Sequence, residues 1–350
     1  MTNFGINGFG RIGRITCRVW WLQYQQDFNL KMINTSGSME LEEWVHLLKY
    51  DSNYGQLKAQ ITVKKQQSKD EVTDQNPILG SITISDDSNL KTILVTAQRN
   101  PDKLPWGEND VAVVLESTGA FCTEEKAALH LRGGAKYVII SAPAKGGNVS
   151  SSIIGVNQFK PNQKVLSNES CTTNCVAPVA KIMEEKFGIE KAVMTTIHSY
   201  TDDQNLHDNS HQDLRRARAA GINIVPTSTG AAVATTRVIP ELDKKFDGLA
   251  LRVPTPVGSL SDMVFVTSRD TTIEEVNQTF IEAAKQDNWR GILATTDEPI
   301  VSSDIVGRSE SSIVDLSFTN VIGGNLVKIL SWYDNEWAYC HRLLEQISRV

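Results

Sequence analysis

The sequence predicts an α/β protein of two domains, and three observations carry that prediction. At the start of the chain a short apolar segment runs into a glycine-rich turn and then into a stretch of helical period. Two continuous apolar runs, 111–115 and 137–140, end in small or polar residues, the pattern of buried parallel strands. The 350 residues exceed the roughly 100–200 of one domain, which makes two domains the default and leaves ample surface to bury.

Taken in order, the first element is a strand over Phe4–Ile6. It is followed by Asn7-Gly8-Phe9-Gly10-Arg11-Ile12-Gly13-Arg14, after which Ile15, Val19, Trp20 and Leu22 recur at helical spacing. Gly8, Gly10 and Gly13 fit a dinucleotide fingerprint: the first allows the tight turn, the second lets backbone approach a pyrophosphate, and the third lets helix and strand pack closely. The bland alternative is an ordinary glycine turn at a strand end, but its position at the start of a βα unit favours the nucleotide reading. Ligands in such sheets sit at the carboxyl ends of the strands, here Glu116-Ser117-Thr118-Gly119 and Ser141-Ala142-Pro143.

The next strand, 30–34, should deliver an acid about 20 residues past the glycines to hold the ribose 2′-hydroxyl. Thr35 stands there, followed by Ser36, Gly37 and Ser38. Hydroxyl donors suit a 2′-phosphate, which an acid would repel, but a neutral loop that accepts either cofactor reads the same way. Residues 60–88 are rich in Lys, Gln, Asp and Ser and predict a solvated hairpin excursion.

Five cysteines at irregular spacing, Cys17, Cys122, Cys171, Cys175 and Cys340, do not form a secreted framework and point to a reducing, cytoplasmic setting. No leader is visible at the N-terminus, and no stretch approaches the ~20 apolar residues of a membrane span. A net charge of −6 with only local basic clusters argues against nucleic acid as the primary partner and leaves small anions open.

In the second half, Val176, Val179, Ile182, Met183 and Phe187 recur at helical intervals and Gly188 stops them, so Cys171 falls at a helix start; Pro178 predicts a kink. A thiol at the positive end of a helix, beside an imidazolium, is expected to have a lowered pKa. His198 ends a strand-like Thr195-Thr196-Ile197 run and is the candidate base; a lone histidine is more often structural, and the other five lack this context. Cys175 reads as a small core residue, and zinc is disfavoured because no second Cys or His pair has metal-ligand spacing. Thr201, Thr229-Gly230 before a small-residue run, and Arg252 offer anion-binding donors, each individually weak and each equally readable as a cap or an ion pair.

From Asn7 onward these segments resemble phosphorylating glyceraldehyde-3-phosphate dehydrogenases. The likeness rests on 6–14, Leu48-Lys49-Tyr50-Asp51-Ser52, Ser141-Ala142-Pro143-Ala144-Lys145, 170–175, His198-Ser199-Tyr200-Thr201, 213–218, 251–256 and Ser331-Trp332-Tyr333-Asp334-Asn335-Glu336-Trp337. The resemblance implies a Rossmann-type dinucleotide-binding domain over 1–170, an α+β catalytic domain with a mixed sheet over 171–333, and a final helix, 334–350, completing the first domain. It implies that Cys171 attacks the aldehyde, that His198 is the base, and that a thioester is cleaved by inorganic phosphate. Thr201, Arg252 and Arg216 match the site for the phosphate of glyceraldehyde 3-phosphate; Ser170, Thr172, Thr229 and Gly230 match the inorganic-phosphate site. Arg11, Ile12, Arg99, Ser117 and Thr118 match cofactor contacts, and Asn335 matches the residue that holds the nicotinamide amide. The resemblance also implies a homotetramer that turns over in glycolysis or gluconeogenesis. Members that use NAD carry Asp where this chain has Thr35, and typically Leu-Pro where it has Asn209-Ser210; serine there accompanies NADP. These departures favour NADP, or NADP and NAD together, over strict NAD use. Glu169 replaces the family's usual alanine. The nearest rival reading is erythrose-4-phosphate dehydrogenase, and a rival of another class is a non-catalytic binding protein on the same fold.

Overall fold

The computed structural model describes residues 1–350, and the chain divides into two compact units. The first comprises 1–151, 159–168 and 340–350; the second comprises 152–158 and 169–339.

In the first unit, β1 (Thr2–Asn7) leads through the glycine turn into α1 (Arg11–Val19), which continues as a π-helical segment over Trp20–Tyr24. The helical pattern expected to Leu22 thus holds but widens at its end, where Leu22 is exposed. There follow β2 (Phe28–Thr35), α2 (Leu41–Lys49), a small ladder of β3 (Tyr50–Asp51) and β4 (Gly55–Gln56), then β5 (Gln60–Lys65), β6 (Ile78–Ser85) and β7 (Leu90–Ala97). Next come β8 (Val113–Glu116), two short helices α3 (Glu124–Ala127) and α4 (Leu129–Arg132), β9 (Tyr137–Ile140), β10 (Ser150–Ser151) and β11 (Val165–Ser167). They form one nine-stranded sheet in the order β10-β11-β9-β8-β1-β2-β7-β6-β5.

Strands from β10 to β7 run parallel, and β6 alone runs against them, pairing antiparallel with both β7 and β5. The two apolar runs are the buried strands β8 and β9, as their lack of polar alternation requires. The order reverses about β1, whose neighbours are β2 and β8, so the switch point lies at the carboxyl ends that carry Asn7, Thr35 and Glu116. The expected hairpin excursion is a hairpin but not wholly solvated. Only β5 is the wet edge; β6 buries Leu79, Ile82 and Ile84 because it is flanked by strands on both sides.

The second unit starts with α5 (Cys171–Phe187), a helix that runs through Pro178 without interruption. β12 (Ile189–Ser199), β13 (Val225–Ser228), α6 (Ala231–Val238), β14 (Phe246–Val253), β15 (Ser259–Thr267), α7 (Ile273–Ala283), β16 (Leu293–Thr296), β17 (Ser312–Ile322) and β18 (Leu326–Tyr333) follow. The seven strands make a mixed sheet in the order β13-β14-β12-β15-β18-β17-β16, parallel at β12/β14 and β16/β17. A continuous apolar cluster, including Val179, Met183, Phe265, Phe280 and Ile329, joins α5, α6 and α7 to this sheet. The last helix, α8 (Trp337–Gln346), ends the chain, and Leu343, Leu344 and Ile347 near its end are buried. No helix is long and apolar enough to cross a membrane.

Candidate active site

The first unit holds a cleft of about 460 Å³ at the switch point, lined by Gly8, Gly10, Thr35, Ser36, Arg99, Ser117 and Thr118 among others. A larger, shallower groove of about 730 Å³ is lined by Thr2 and Phe28, at the amino ends of β1 and β2, where sheets of this kind do not place ligands.

The three glycines divide the work as their spacing predicts. Gly8 has φ +94°, and a Cβ there would lie 2.8 Å from Thr118. At Gly13 a Cβ would fall 2.0 Å from the carbonyl oxygen of Gly8, so only glycine lets α1 sit this close to the turn. At Gly10 nothing lies within 4 Å of where a Cβ would be: the space is open toward the cleft, and Gly10 is also the N-cap of α1. An open approach at a helix amino terminus fits a pyrophosphate, so these residues pass the test for a dinucleotide. Ser117 braces the turn, its hydroxyl donating to the carbonyls of Asn7 and Gly8 at 3.0 and 2.8 Å. Thr118 donates its N–H to Glu116.

Arg11 extends from α1 to Asp51 in an ion pair of 3.0 Å, so its position is set by a carboxylate that sequence reasoning did not single out. Ile12 is half-buried in the first turn of the same helix.

At the ribose corner the structure changes the expected donor set. Thr35 is 2% exposed; its hydroxyl donates to the carbonyl of Thr96 at 3.2 Å and accepts from Gly37 N–H. That hydroxyl is therefore engaged by the fold, and Ser36 and the exposed Arg99 are the better-placed donors. The cleft lining includes no carboxylate.

In the second unit, Ser170 caps α5, its hydroxyl accepting from Thr173 N–H at 3.0 Å, which puts Cys171 at the first helical position. Glu169 before it is buried with φ +55°, a left-handed conformation that costs about 1–2 kcal/mol for a non-glycine residue. Its carbonyl accepts from the hydroxyl of Tyr339 at 2.8 Å. His198 comes from the end of β12, and its Nε2 lies 3.4 Å from Cys171 Sγ. The helix start and the strand end are thus brought together as the sequence anticipated.

Nδ1 of His198 is 2.7 Å from the carbonyl of Ser199 and 2.9 Å from Nη1 of Arg252. The shorter contact needs a proton on Nδ1, since a carbonyl only accepts; on that assignment Nε2 turns its lone pair toward the thiol. Burial, and then the Arg252 cation, push His198 down to about 3. Burial likewise pushes the Cys171 thiol up, against the pull of the Arg252 charge. Both shifts run opposite to the expected lowering of the thiol by an imidazolium, because at Cys171 burial outweighs the Arg252 charge. Cys175 is wholly buried and pushed up to about 12 by that burial, as befits a core residue.

Tyr333 also belongs to this site; in the sequence it stands out only within the 331–337 motif. Its ring meets His198 edge-on at 6.0 Å, and its hydroxyl lies between those of Thr172 and Thr196, at 2.9 and 2.8 Å.

The anion donors prove unequal. Arg252 Nη1 donates to the carbonyl of Ser199 and to Thr201 Oγ1, at 3.1 and 3.0 Å, and its buried Nε has no partner. Arg216 instead faces Asp203 and Asp213, and its Nε donates to Thr227 Oγ1 at 3.0 Å. Asp203 also accepts from the Thr201 hydroxyl. In this structure a carboxylate holds two of the donors expected for a substrate phosphate, and Asp203 had no signal in the sequence beyond its place three residues past Tyr200. Thr229 precedes Gly230, the N-cap of α6, and its Oγ1 accepts from Ala231 N–H.

Two predicted cofactor residues fall in this unit. Ser210 is exposed on the long connection between β12 and β13. Asn335 is 4% exposed; its Oδ1 accepts from Gly258 N–H and Ser259 Oγ, which leaves Nδ2 as the donor for a ligand.

A switch-point cleft with a glycine cradle, together with a mixed-sheet unit carrying a cysteine–histidine pair, defines an NAD(P)-dependent dehydrogenase. Residues 2–124 match the family described as glyceraldehyde 3-phosphate dehydrogenase, NAD binding domain, and 170–335 match its C-terminal domain. The glyceraldehyde-3-phosphate dehydrogenase of Streptomyces coelicolor is 48% identical over 97% of this chain and 96% of its own length. Glyceraldehyde-3-phosphate dehydrogenase 2 of a Synechocystis strain is 47% identical over 99% and 97%. The chloroplastic glyceraldehyde-3-phosphate dehydrogenase A of Zea mays is 47% identical over 97% of this chain and 80% of that protein. The chain belongs to the glyceraldehyde-3-phosphate dehydrogenase family.

Proposed function

We propose that the protein reversibly oxidises and phosphorylates D-glyceraldehyde 3-phosphate to 1,3-bisphosphoglycerate through a thioester on Cys171, and that it uses NADP(H) at least as well as NAD(H). The observation that carries this reading is the 3.4 Å approach of Cys171 Sγ to a histidine nitrogen whose ring partner is fixed on the Ser199 carbonyl.

Sγ attacks the aldehyde carbon while its proton passes to Nε2 of His198 and on to the former carbonyl oxygen, giving a hemithioacetal. His198 then takes the hydroxyl proton as hydride leaves carbon, and the thioester remains. When bound, the dinucleotide supplies the hydride acceptor; Gly8, Gly10, Gly13, Arg11, Ile12, Ser36, Arg99, Ser117 and Thr118 are the residues we assign to hold it. An oxygen of inorganic phosphate attacks the thioester carbonyl, the carbon–sulfur bond breaks, and the sulfur regains its proton from His198. The Cys171 N–H, at the amino end of α5, and His198 are the donors to the developing oxyanion. Thr201 and Arg252 hold the substrate phosphate, with Arg216 behind them; Ser170, Thr172, Thr229 and Gly230 hold inorganic phosphate.

The cofactor reading rests on a cleft with Arg99 and no carboxylate in its lining. A dianionic 2′-phosphate meets attraction there and no carboxylate of the lining. Exposed Leu206, Leu214, Ile222 and Ile224 on the connection around Ser210 support burial by further copies of the chain and so a homotetramer. A cytoplasmic setting and service in glycolysis or gluconeogenesis belong to the same reading.

The test is kcat/KM for NADP+ and NAD+ with glyceraldehyde 3-phosphate and phosphate. A hundredfold preference for NAD+ refutes the cofactor assignment and leaves the reaction standing; no phosphate-dependent oxidation refutes the reaction.

A further inference from the structure

Residues 66–77, between β5 and β6, take no part in the reaction proposed above. They are tied down at two places, and both ties flank the ribose corner of the dinucleotide cleft. At one end Lys65 pairs with Glu40 at 2.9 Å, and the Lys69 N–H donates to the Glu40 carboxylate at 3.3 Å. Glu40 is the N-cap of α2, the helix that follows the Thr35–Ser36 turn and brings Trp44 to the cleft.

At the other end Asp74 pairs with Lys103 at 2.5 Å and accepts from Gln98 Nε2 at 3.3 Å. Gln98 is a wall of the cleft and only 5% exposed. Its Oε1 accepts from Asn100 N–H at 2.9 Å, and its own backbone N–H and carbonyl are clasped by the Asn34 side chain at 2.9 and 2.8 Å. The amide of Gln98 therefore spans from Asp74 to Asn100, across the backbone that presents Arg99.

Between the ties the segment closes on itself: Gln67 Nε2 donates to the carbonyls of Asn76 and Ile78, each at 2.8 Å. The two ties are thus joined by a short folded unit and not by slack chain. The lysines concerned, Lys65, Lys69 and Lys103, each face a carboxylate, on Glu40, Asp70 and Asp74. Arg99, at the cleft itself, faces none among the ion pairs of the chain.

We propose that residues 66–77 are a brace that sets cofactor preference: by joining Glu40 to Gln98 they hold Thr35, Ser36 and Arg99 at the spacing that receives a 2′-phosphate. The inference rests on the NADP reading above. Loosening the brace penalises a dinucleotide with a 2′-phosphate and spares one with a bare ribose hydroxyl, because the glycine cradle that takes the pyrophosphate is not part of it.

The variant that tests this is Asp74→Ala with Lys103→Ala, which cuts one tie and leaves net charge unchanged, so long-range attraction to the cofactor is held constant. Dissociation constants for NADP+ and NAD+ are measured on the full-length protein by titration calorimetry, alongside its melting temperature. Kd for NADP+ is expected to rise about threefold to tenfold, the range that two part-exposed contacts carry, while Kd for NAD+ changes less than about twofold. An unchanged NADP+ constant, or an equal rise in both, overturns the brace. The wild-type pair of constants separates the two ideas: a hundredfold preference for NAD+ there removes the cofactor reading, whereas NADP+ binding that survives the double substitution removes the brace alone.

Discussion

Gly10 and Gly13 lie three residues apart on one turn, and replacing each by alanine should produce opposite outcomes. At Gly13 the new Cβ would start 2.0 Å from a backbone oxygen, and no flexible side chain can move aside. Reaching an ordinary separation of about 3.2 Å means that α1 and the turn part by about 1 Å. Strain of that kind costs roughly 1–3 kcal/mol, and the better helix propensity of alanine returns up to about 1 kcal/mol. A net loss of about 1–2 kcal/mol lowers Tm by about 2–8 °C for a domain of this size. At Gly10 there is no contact within 4 Å, and φ −70° and ψ −159° are open to an L-residue, so Tm should shift by under about 2 °C.

Binding reverses the order. Gly10→Ala places a methyl group where the pyrophosphate must approach the helix end, and Kd for the dinucleotide should rise at least tenfold on a protein of native stability. Calorimetric melting and dinucleotide titration on both variants give the four numbers needed. Full-strength binding by Gly10→Ala would refute the cradle, and an unshifted Tm for Gly13→Ala would refute the packing argument.

Other consequences follow from the second unit and the ribose corner. His198→Asn keeps the thiol but removes the proposed base, and kcat should fall on the order of 10²–10⁴-fold in initial-rate assays. Because the Arg252 cation lowers the Cys171 pKa, Arg252→Gln should move the midpoint of iodoacetamide alkylation to higher pH; a midpoint moving down would contradict that sign. Tyr333→Phe leaves Thr172 and Thr196 without their shared partner and should cost about 1–2 kcal/mol, read as a lowered Tm. Thr35→Asp sets a carboxylate beside the 2′-phosphate, so Kd for NADP+ should rise tenfold or more, about 1.4 kcal/mol, with Kd for NAD+ held or improved.

What the sequence revealed follows from how local each determinant is. The glycine turn, the helix start at Cys171 and the Gly188 stop are fixed within a few residues, and spacing alone located them. The partnership of Cys171 with His198 was legible because each sits at an element end, and ends are where this architecture gathers its chemistry. Desolvation is different in kind. The thiol at the helix start reads as activated until its surroundings, His198 among them, draw it partly out of water. The Thr35 hydroxyl reads as a free donor until β7 brings the carbonyl of Thr96 within 3.2 Å. In both cases the residue type was read correctly and its competitor was absent from the local sequence.

The two arginines make the same point about function. The resemblance puts Arg216 and Arg252 at one phosphate site, yet Arg216 meets two carboxylates whereas Arg252 reaches Thr201 with a buried Nε to spare. A buried guanidinium nitrogen without a partner carries an unmet desolvation cost that an anion can relieve, whereas a guanidinium already paired must first give up what it holds. An incoming phosphate therefore gains most from Arg252 and must displace Asp203 to engage Arg216 and the Thr201 hydroxyl. If so, Asp203→Asn should lower KM for the phosphorylated aldehyde, since the amide competes for those donors without a charge. Steady-state kinetics at low ionic strength decide it: a raised KM would mean that Asp203 positions Arg216 for the substrate and does not stand in its way.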